Sequence, residues 1–520
     1  MALALGWMTT GCSLPAQLTT GTGVAAKQLC SLVFVSELEP VRASALYVDP
    51  LLRESSSIMR TQVDREARSV RVGVPGVVSQ RALHHPGYGC TLVRNASRRM
   101  ERAPRKPRPS RPMTLDRAHR EAHFDSARLE AAIARAFTGD PGRPPLNTLA
   151  VAVLHDGALV AERYAPGVSS ETRLPGWSMT KSVTATLVGV LAHQGRLEVH
   201  AAGAIREWRG SSDPRSRITL DHLLRMTSGL ALQETSDRGD GTDPTSILLY
   251  HEADAAGFAA TRKLDHEPGT RFEYMSGNTV LAARAAQEAI GGGLEENLDF
   301  LHEELFSPLG MHGAVFESDQ AGTLLGSTHM LASARDWARL GQLHLDGGVS
   351  GGRRLLSPAW LDHVTAPTPT STAASRHDVF WEPGRSAYGA GFWLYGEADT
   401  GLPADSFDAN GFQGQYLHIV PSKRLVVVRL GATNYRDHDH DRLPREVIAS
   451  MLRTGELPQP GAGAVQAPRI PLPRRRPRRV DAAKPSRHAI SPIVAGTDSV
   501  GTGAAIDTKR RTVPSRFVSR

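Results

Sequence analysis

Cysteine is scarce in this 520-residue chain, and its placement excludes one kind of chemistry. The three cysteines, Cys12, Cys30 and Cys90, all precede residue 94. The segment 113–455 has none, so neither a disulfide nor a thiolate nucleophile can operate within it. Long apolar runs are also missing, and no membrane span is therefore expected. The stretch before Cys12 lacks the basic start and apolar length of a signal peptide, which favours a cytoplasmic location.

Charge is unevenly distributed along the chain. The net charge is +8, but residues 113–455 carry −10, whereas residues 94–112 carry +7 and residues 456–520 carry +9. The basic flanks are rich in proline and arginine, so they bury too little apolar surface to fold. Solvated tails are the expected outcome, and nonspecific binding to nucleic acid or an anionic membrane is the alternative. A specific nucleic-acid partner is not expected.

These compositions predict three parts. Residues 1–112 are expected to be a disordered extension or to be absent from the native product, with Met113 as the true start. Residues 113–455 form the folded domain, and residues 456–520 form a disordered Pro/Arg-rich tail.

Hydrophobic patterns in residues 113–455 predict an α/β fold of the α+β kind. Residues 126–137 have helical periodicity after Asp125, and two β-rich runs flank a turn at Asp156–Gly157. Helical patterns dominate residues 195–345. Strand character then returns at 388–396, 414–421 and 424–432, followed by a helix near 444–452. One antiparallel sheet built from both ends of the segment, flanked by helices and with an all-helical region beside it, is the expected architecture.

A lysine in an apolar run is the first candidate for chemistry. In "LPGWSMTKSVTATLVGVL", residues 174–191, Ser178 and Lys181 stand three positions apart at the predicted start of a helix. That spacing places both side chains on one helix face. Burial would lower the pKa of Lys181, and a neutral amine can accept the proton of a serine nucleophile. A solvated lysine is the alternative when this pair is considered alone.

Two downstream stretches supply partners for this pair. "PGTRFEYMSGNTVLA", residues 268–282, places Tyr274 in a turn before a helix, with Ser276 and Asn278 nearby. A tyrosine beside a buried lysine can act as general base and proton donor, although an ordinary packing role is the alternative. In "DANGFQGQYLHIV", residues 408–420, glycines at a strand entrance allow a substrate to approach the backbone, unless they mark a simple turn.

Taken together, these segments resemble the serine β-lactamase-like hydrolases of the penicillin-recognising fold, closest to the class C branch. The order Ser-x-x-Lys, Tyr-x-Ser/Asn and a glycine-bearing strand is theirs, although Ser276 occupies the usual asparagine position of the second motif and Asn278 follows two residues later. The resemblance implies a β-lactamase/transpeptidase-like fold and an acyl-enzyme on Ser178. It assigns proton transfer to Lys181 and Tyr274, and the oxyanion hole to the N–H groups of Ser178 and Phe412. No metal or organic cofactor is implied.

The resemblance also names supporting residues for a small-molecule substrate. These candidates are Ser276, Asn278, Asn410, Gly411, His329 and Trp393. Oligomeric state is not indicated.

The third motif departs from the family pattern. Class C enzymes and D,D-peptidases carry Lys-Thr-Gly, whereas this chain has Ala409–Asn410–Gly411. The cation that would meet a substrate carboxylate is missing, unless Arg424 or Arg385 replaces it. "YMSGN" and "GFQGQ" are more similar to 6-aminohexanoate-dimer hydrolases and related carboxylesterases. Hydrolysis of an ester or small amide is therefore predicted, with a D,D-peptidase or class C-type β-lactamase as the alternative and a non-catalytic binding protein as the second.

Overall fold

The computed structural model describes most of the chain. The described residues are 14–94, 109–139, 146–210, 212–234, 241–371, 384–396, 400–433 and 439–452. The predicted tail at 456–520 lies outside these residues and stays a prediction. No described helix is long and apolar enough to cross a membrane.

The helices are distributed along the whole described region. They are α1 (Leu14–Phe34), α2 (Pro40–Ala43), α3 (Asp49–Leu52), α4 (Arg117–His123), α5 (Ser126–Thr138), α6 (Met179–His193), α7 (Leu220–Leu224), α8 (Pro244–Tyr250), α9 (Ala255–Thr261), α10 (Ser276–Ile290), α11 (Leu294–Leu301), α12 (Ser307–Leu309), α13 (Ala334–Leu345), α14 (Pro358–Thr365) and α15 (Arg442–Ala449).

The strands fall into early and late groups. They are β1 (Arg60–Asp64), β2 (Ser69–Val74), β3 (Val78–His85), β4 (Gly89–Leu92), β5 (Thr148–His155), β6 (Ala158–Tyr164), β7 (Leu174–Pro175), β8 (Val315–Phe316), β9 (Met330–Ala332), β10 (Val349–Ser350), β11 (Arg353–Arg354), β12 (Ala387–Tyr388), β13 (Trp393–Leu394), β14 (Phe407–Gly411), β15 (Gln415–Val420) and β16 (Leu425–Gly431).

One antiparallel sheet organises the domain. Its strand order is β12-β13-β14-β15-β16-β5-β6, so the late strands meet the early hairpin where β16 pairs with β5. This confirms the prediction of a sheet built from both ends of the segment. Every residue of β5 and β16 is buried, as expected for central strands covered on both faces. Helices α5 and α15 pack on one face, and α13 packs on the other.

The local predictions agree closely with the observed elements. Helix α5 begins after Asp125, whose carboxylate accepts the N–H groups of Ala127 and Arg128, a helix cap. Asp156 and Gly157 both have positive φ, +50° and +82°, as a type I′ hairpin turn requires. Helix α6 is buried from Met179 to Leu191, which confirms it as a central helix.

The structure corrects the expectation of disorder for residues 14–94, whereas residues 1–13 and 95–108 lie outside the described residues. Helix α1 packs on a four-stranded antiparallel sheet, β1-β2-β3-β4, and both join the main hydrophobic core. A disulfide links Cys30 in α1 to Cys90 in β4. The prediction extended the disorder expected of the basic, proline-rich run 94–112 to the residues before it, whose composition is not of that kind. Whether these residues belong to the native product stays a prediction.

A buried ion pair anchors this N-terminal segment to the rest of the domain. The ammonium of Lys27 contacts the carboxylate of Glu317, and both side chains are essentially inaccessible to water. Glu317 also accepts hydrogen bonds from the Ser31 hydroxyl at 2.8 Å and from the N–H of Cys90 at 2.7 Å. Because each charge is buried, removing one would leave the other without compensation.

We predict that Glu317→Gln lowers the free energy of unfolding by roughly 3–5 kcal/mol, because Lys27 would remain buried without a counter-charge. Urea denaturation followed by circular dichroism measures this. The control is Glu130→Ala, which removes a half-exposed carboxylate that pairs with Arg120 and Arg163. That control should change stability by less than about 1 kcal/mol. Equal effects of the two substitutions would contradict the anchoring role of Glu317.

Candidate active site

Ser178 lies at the N-terminal end of α6, on a sharp turn. The preceding residue, Trp177, has a φ of +48°, an unusual backbone conformation for a bulky residue. The turn is fixed from outside, since the N–H of Gly176 donates to the carbonyl of Met330 at 2.9 Å. The α6 dipole favours negative charge at Ser178, where an oxyanion would form.

Lys181 is held by oxygen atoms on three sides. Its Nζ donates to Ser178 Oγ at 2.9 Å, to Ser276 Oγ at 3.0 Å and to the carbonyl of Ser327 at 3.2 Å. The residue is 1% exposed, so the solvated alternative does not describe it. The structure therefore brings together Ser178, Lys181 and Ser276 as the sequence predicted.

Burial changes the chemistry of this amine. Desolvation lowers the pKa of Lys181 to about 8, although the charge of Glu234 opposes the shift. A substantial fraction of the amine is therefore neutral near physiological pH. A neutral amine 2.9 Å from a hydroxyl is placed to accept its proton.

Tyr274 lies in an aromatic cluster beside Lys181. Lys181 Nζ is 4.7 Å from the centre of the Tyr274 ring. Trp393 stacks on Tyr274 with ring centres 5.4 Å apart, and Tyr388 meets it edge-on at 5.8 Å. Met226 and Phe272 complete this buried cluster. Trp393 is thus in contact with the predicted proton donor, and the cluster gives the site an apolar wall.

Glu234 is a candidate that the sequence analysis missed. Its carboxylate accepts the backbone N–H of Ser276 at 2.8 Å, at the start of α10, and its charge acts on Lys181. Burial raises the pKa of Glu234, and Lys181 lowers it. Glu234 follows no periodic pattern in the sequence, so only the folded arrangement shows that it faces the lysine.

Asn278 supports the candidate site through its contacts with residues 226–228. It is fully buried, and its side-chain oxygen accepts the hydroxyl of Ser228 at 2.7 Å. Its amide lies 3.8 Å from the sulfur of Met226, a residue with a φ of +59°. Asn278 therefore holds the 226–228 loop in place.

The third motif lies on β14, against the nucleophile turn. A Cβ added to Gly411 would come within 2.2 Å of the Gly176 carbonyl and 3.1 Å of the Ser178 nitrogen. Glycine is therefore required there by close backbone approach. The ring of Phe412 meets Trp177 edge-on at 5.4 Å. The side-chain nitrogen of Asn410 is buried and has no hydrogen-bond partner among the described residues, and its assignment as a substrate-binding residue stays a prediction.

Two polar side chains fix the turn that carries Phe412. The Gln415 amide donates to the carbonyl of Phe412 at 3.0 Å and to that of Gly431 at 2.6 Å. The guanidinium of Arg429 donates to the carbonyl of Gly414 and to the Thr148 hydroxyl. These bonds hold the Phe412 backbone in a defined position, as an oxyanion donor needs.

The structure corrects the suggestion that an arginine replaces the missing lysine. Arg385 is buried in ion pairs with Asp408 at 2.5 Å and Asp441 at 3.1 Å. Arg424 pairs at the surface with Asp156 and Asp346, both at 2.9 Å. Each guanidinium group is already neutralised by the two carboxylates that it faces. The sequence analysis did not foresee these ion pairs, because the partners are distant from each other along the chain.

His329 lies on the side of the site that faces α1. Its ring meets Tyr250 edge-on at 6.2 Å, and its carbonyl accepts the N–H of Glu317. Burial and the charge of Lys27 hold the pKa of His329 well below its usual value. Its assignment as a pocket residue stays a prediction.

The fold and this geometry define a class of protein, the serine hydrolases with a β-lactamase fold. The sequence profile of the Beta-lactamase family matches residues 133–450, more than half of the chain. The chain belongs to that family, and the predicted fold class is confirmed. Assignment to the class C branch stays a prediction.

Two relatives and one solved structure are similar to this chain. Penicillin-binding protein 4 of Amycolatopsis lactamdurans is 28% identical over 408 residues, covering 71% of this chain and 97% of the relative. The 6-aminohexanoate-dimer hydrolase of Paenarthrobacter ureafaciens is 28% identical over 309 residues, covering 56% and 74%. A structure described as a putative beta-lactamase from Bacteroides dorei matches with a TM-score of 0.50 and 20% identity, covering 63% of this chain and 99% of that one. The structural match shows the shared fold.

We predict that Glu234→Gln moves the pH profile of kcat/KM to lower pH. The rate should rise as the Lys181 ammonium loses its proton near pH 8, and removing the Glu234 charge lowers that pKa further. At pH 6 the rate relative to its plateau should increase roughly threefold or more, because half a pKa unit is about a factor of three.

The measurement is ester hydrolysis between pH 5.5 and 9.5. Glutamine keeps an acceptor for the N–H of Ser276, so a purely structural role would leave the profile unmoved. The control is Glu267→Gln at an exposed pair with Arg217, and it should follow the wild type. A profile of Glu234→Gln that coincides with the wild type would contradict the electrostatic role.

Proposed function

We propose that this protein hydrolyses an ester or small amide through an acyl-enzyme on Ser178. The observation that carries the proposal is the 2.9 Å contact between Ser178 Oγ and the buried Lys181 amine, whose pKa is about 8. A hydroxyl is a weak nucleophile until a base takes its proton. Lys181 supplies that base without requiring a histidine.

The proposed reaction assigns one role to each of these groups. Lys181 takes the proton of Ser178 as Oγ attacks the substrate carbonyl, and the carbonyl π electrons move to oxygen. The N–H groups of Ser178 and Phe412 stabilise that oxyanion. When the tetrahedral intermediate collapses, Tyr274 gives a proton to the leaving alcohol or amine and recovers one from Lys181. Water then attacks the acyl-enzyme by the same route, releasing the acid and restoring Ser178.

The pocket chemistry favours substrates without a required carboxylate. Ala409 stands where the family resemblance expects a lysine, and Arg385 and Arg424 are paired elsewhere. The wall around Tyr274 is aromatic, and Asn410 offers a neutral amide donor. A neutral acyl group recognised by apolar contact and one amide donor fits these features better than an anionic β-lactam. The relationship to a 6-aminohexanoate-dimer hydrolase supports amide as well as ester cleavage.

We predict that the full-length chain hydrolyses p-nitrophenyl butyrate and that Ser178→Ala lowers kcat by at least about a thousandfold, because the acyl-enzyme cannot form. Release of nitrophenol is followed by absorbance. The control is Ser170→Ala, a surface serine whose hydroxyl contacts Glu171, and it should keep wild-type activity. Equal rates in wild type and Ser178→Ala would refute the proposal and favour a non-catalytic binding role instead.

A second prediction separates ester or amide hydrolysis from the alternative suggested by the relative named penicillin-binding protein 4. Because Ala409 stands in place of the expected lysine, and Arg385 and Arg424 are paired with carboxylates, kcat/KM for nitrocefin should be at least about a hundredfold below that for the ester, the loss expected for an unmet charged contact. Intact-mass spectrometry after incubation with benzylpenicillin completes the comparison. Rapid nitrocefin turnover, or a stable penicilloyl adduct on Ser178, would favour the β-lactamase or D,D-peptidase alternative.

A further inference from the structure

Three histidines meet at one end of the main sheet. His119 and His123 lie one helical turn apart on α4, and His155 is the last residue of β5. One ring nitrogen of each lies within 4.8 Å of those of the other two. His119 Nε2 and His155 Nδ1 are 2.8 Å apart, and the rings of His119 and His123 stack with centres 4.2 Å apart. This cluster has no part in the hydrolytic site described above.

The surrounding structure holds the three rings in place. His123 Nδ1 lies 2.9 Å from the carbonyl of His119 and donates to it, which directs its lone pair to Nε2. The carbonyl of His123 accepts the N–H of Leu452, and the side chain of Asp116 accepts the N–H of His119. Phe124 meets the His155 ring edge-on at 5.2 Å. A backbone hydrogen bond that fixes the tautomer is the usual second-shell support of a metal-binding histidine.

The contact between His119 and His155 is also compatible with a metal, since a histidine binds a metal through a ring nitrogen that carries no proton. These two nitrogens, His119 Nε2 and His155 Nδ1, share one proton in their hydrogen bond. For both to bind a metal ion, that proton has to move to the other nitrogen of the same imidazole ring, which faces away from the contact.

We propose that His119, His123 and His155 bind a divalent transition-metal ion of the zinc class, with water as the fourth ligand. Three imidazoles and one open position form a tetrahedral set that Zn²⁺ accepts. With Zn–N bonds of about 2.0–2.1 Å, tetrahedral ligands lie roughly 3.3 Å apart. The His119–His155 pair needs to open by only about half an ångström, and half-exposed His123 can close from the solvent side.

The position of this cluster separates the proposed ion from the hydrolytic site. Strand β5 begins at Thr148, whose hydroxyl contacts Arg429 near the Phe412 turn, and ends at His155. Seven residue steps at about 3.3 Å each separate these ends by roughly 23 Å. An ion at His155 would fasten α4 to the β5–β6 hairpin without touching Ser178. Sequence reasoning missed it, because His-x-x-x-His on a short helix is common and His155 is distant in the chain.

The test uses the untagged full-length protein after dialysis against a chelator. Isothermal titration with ZnCl₂ should give one site per chain, and CoCl₂ should produce the visible absorption of a tetrahedral Co²⁺ complex. Zn²⁺ should also raise Tm, since an ion that binds only the folded state stabilises it. His123→Ala should weaken zinc binding by at least about tenfold and abolish the Tm shift.

The matched control is His193→Ala, which removes an exposed histidine at the end of α6 and should bind zinc like the wild type. His155→Gln gives a second variant within the cluster, and half-exposed His123 keeps the test valid if the buried substitution does not fold. Ester hydrolysis should be the same in wild type and His123→Ala, so this result is independent of the proposed hydrolase function. Absence of zinc binding by the wild type, or unchanged binding by His123→Ala, would overturn the proposal.

Discussion

The desolvation of Lys181 is the constraint on which the site depends. A lysine with no water around it keeps its proton only if a negative charge lies beside it. The oxygens around Nζ belong to Ser178, Ser276 and Ser327, and all are neutral. Helix α6 must therefore be buried at its first turn, and α10 and the 327 backbone must close over it. The sheet, the helical region and the 317–330 segment are all needed to build this one environment.

A second buried lysine shows how the surroundings decide the outcome. Lys27 lies against the other end of the same 317–330 segment, in direct contact with the Glu317 carboxylate. Desolvation lowers its pKa too, but the carboxylate opposes that effect at hydrogen-bond distance. Lys181 has Glu234 only as a more remote charge. The Lys27 amine therefore forms a structural ion pair, whereas the Lys181 amine is available to accept a proton.

Much of the fold was predictable from local pattern. The α5 cap at Asp125, the hairpin at Asp156–Gly157 and the periodicity of α6 all depend on neighbouring residues, and each is observed as expected. A sheet with strands from both ends of the segment was predictable from the early and late strand patterns, and the structure shows that β16 and β5 form the junction. Ser178, Lys181 and Ser276 were predictable because their spacing is itself the signal.

What the sequence could not reveal are contacts between distant residues that follow no repeat. Glu234 meets Ser276, and Arg385 meets Asp408 and Asp441, only because loops and strands converge in the folded chain. The N-terminal segment was misjudged for a related reason. The Cys30–Cys90 link lies within the segment, but its attachment to the domain goes through Glu317, which is more than two hundred residues from Cys90 along the chain.

The N-terminal segment contacts the turn that carries Phe412 as well as Glu317. The amide of Gln413 donates to the carbonyl of Tyr47 at 3.1 Å, so this segment also braces the turn that carries Phe412. It therefore contacts the domain both behind Lys181, through Glu317, and beside the proposed oxyanion donor. Oxyanion stabilisation depends on donors fixed before the reaction begins. A domain cut at residue 113 would lose both contacts, so we expect the proposed hydrolytic activity to be weaker in that domain than in the longer chain.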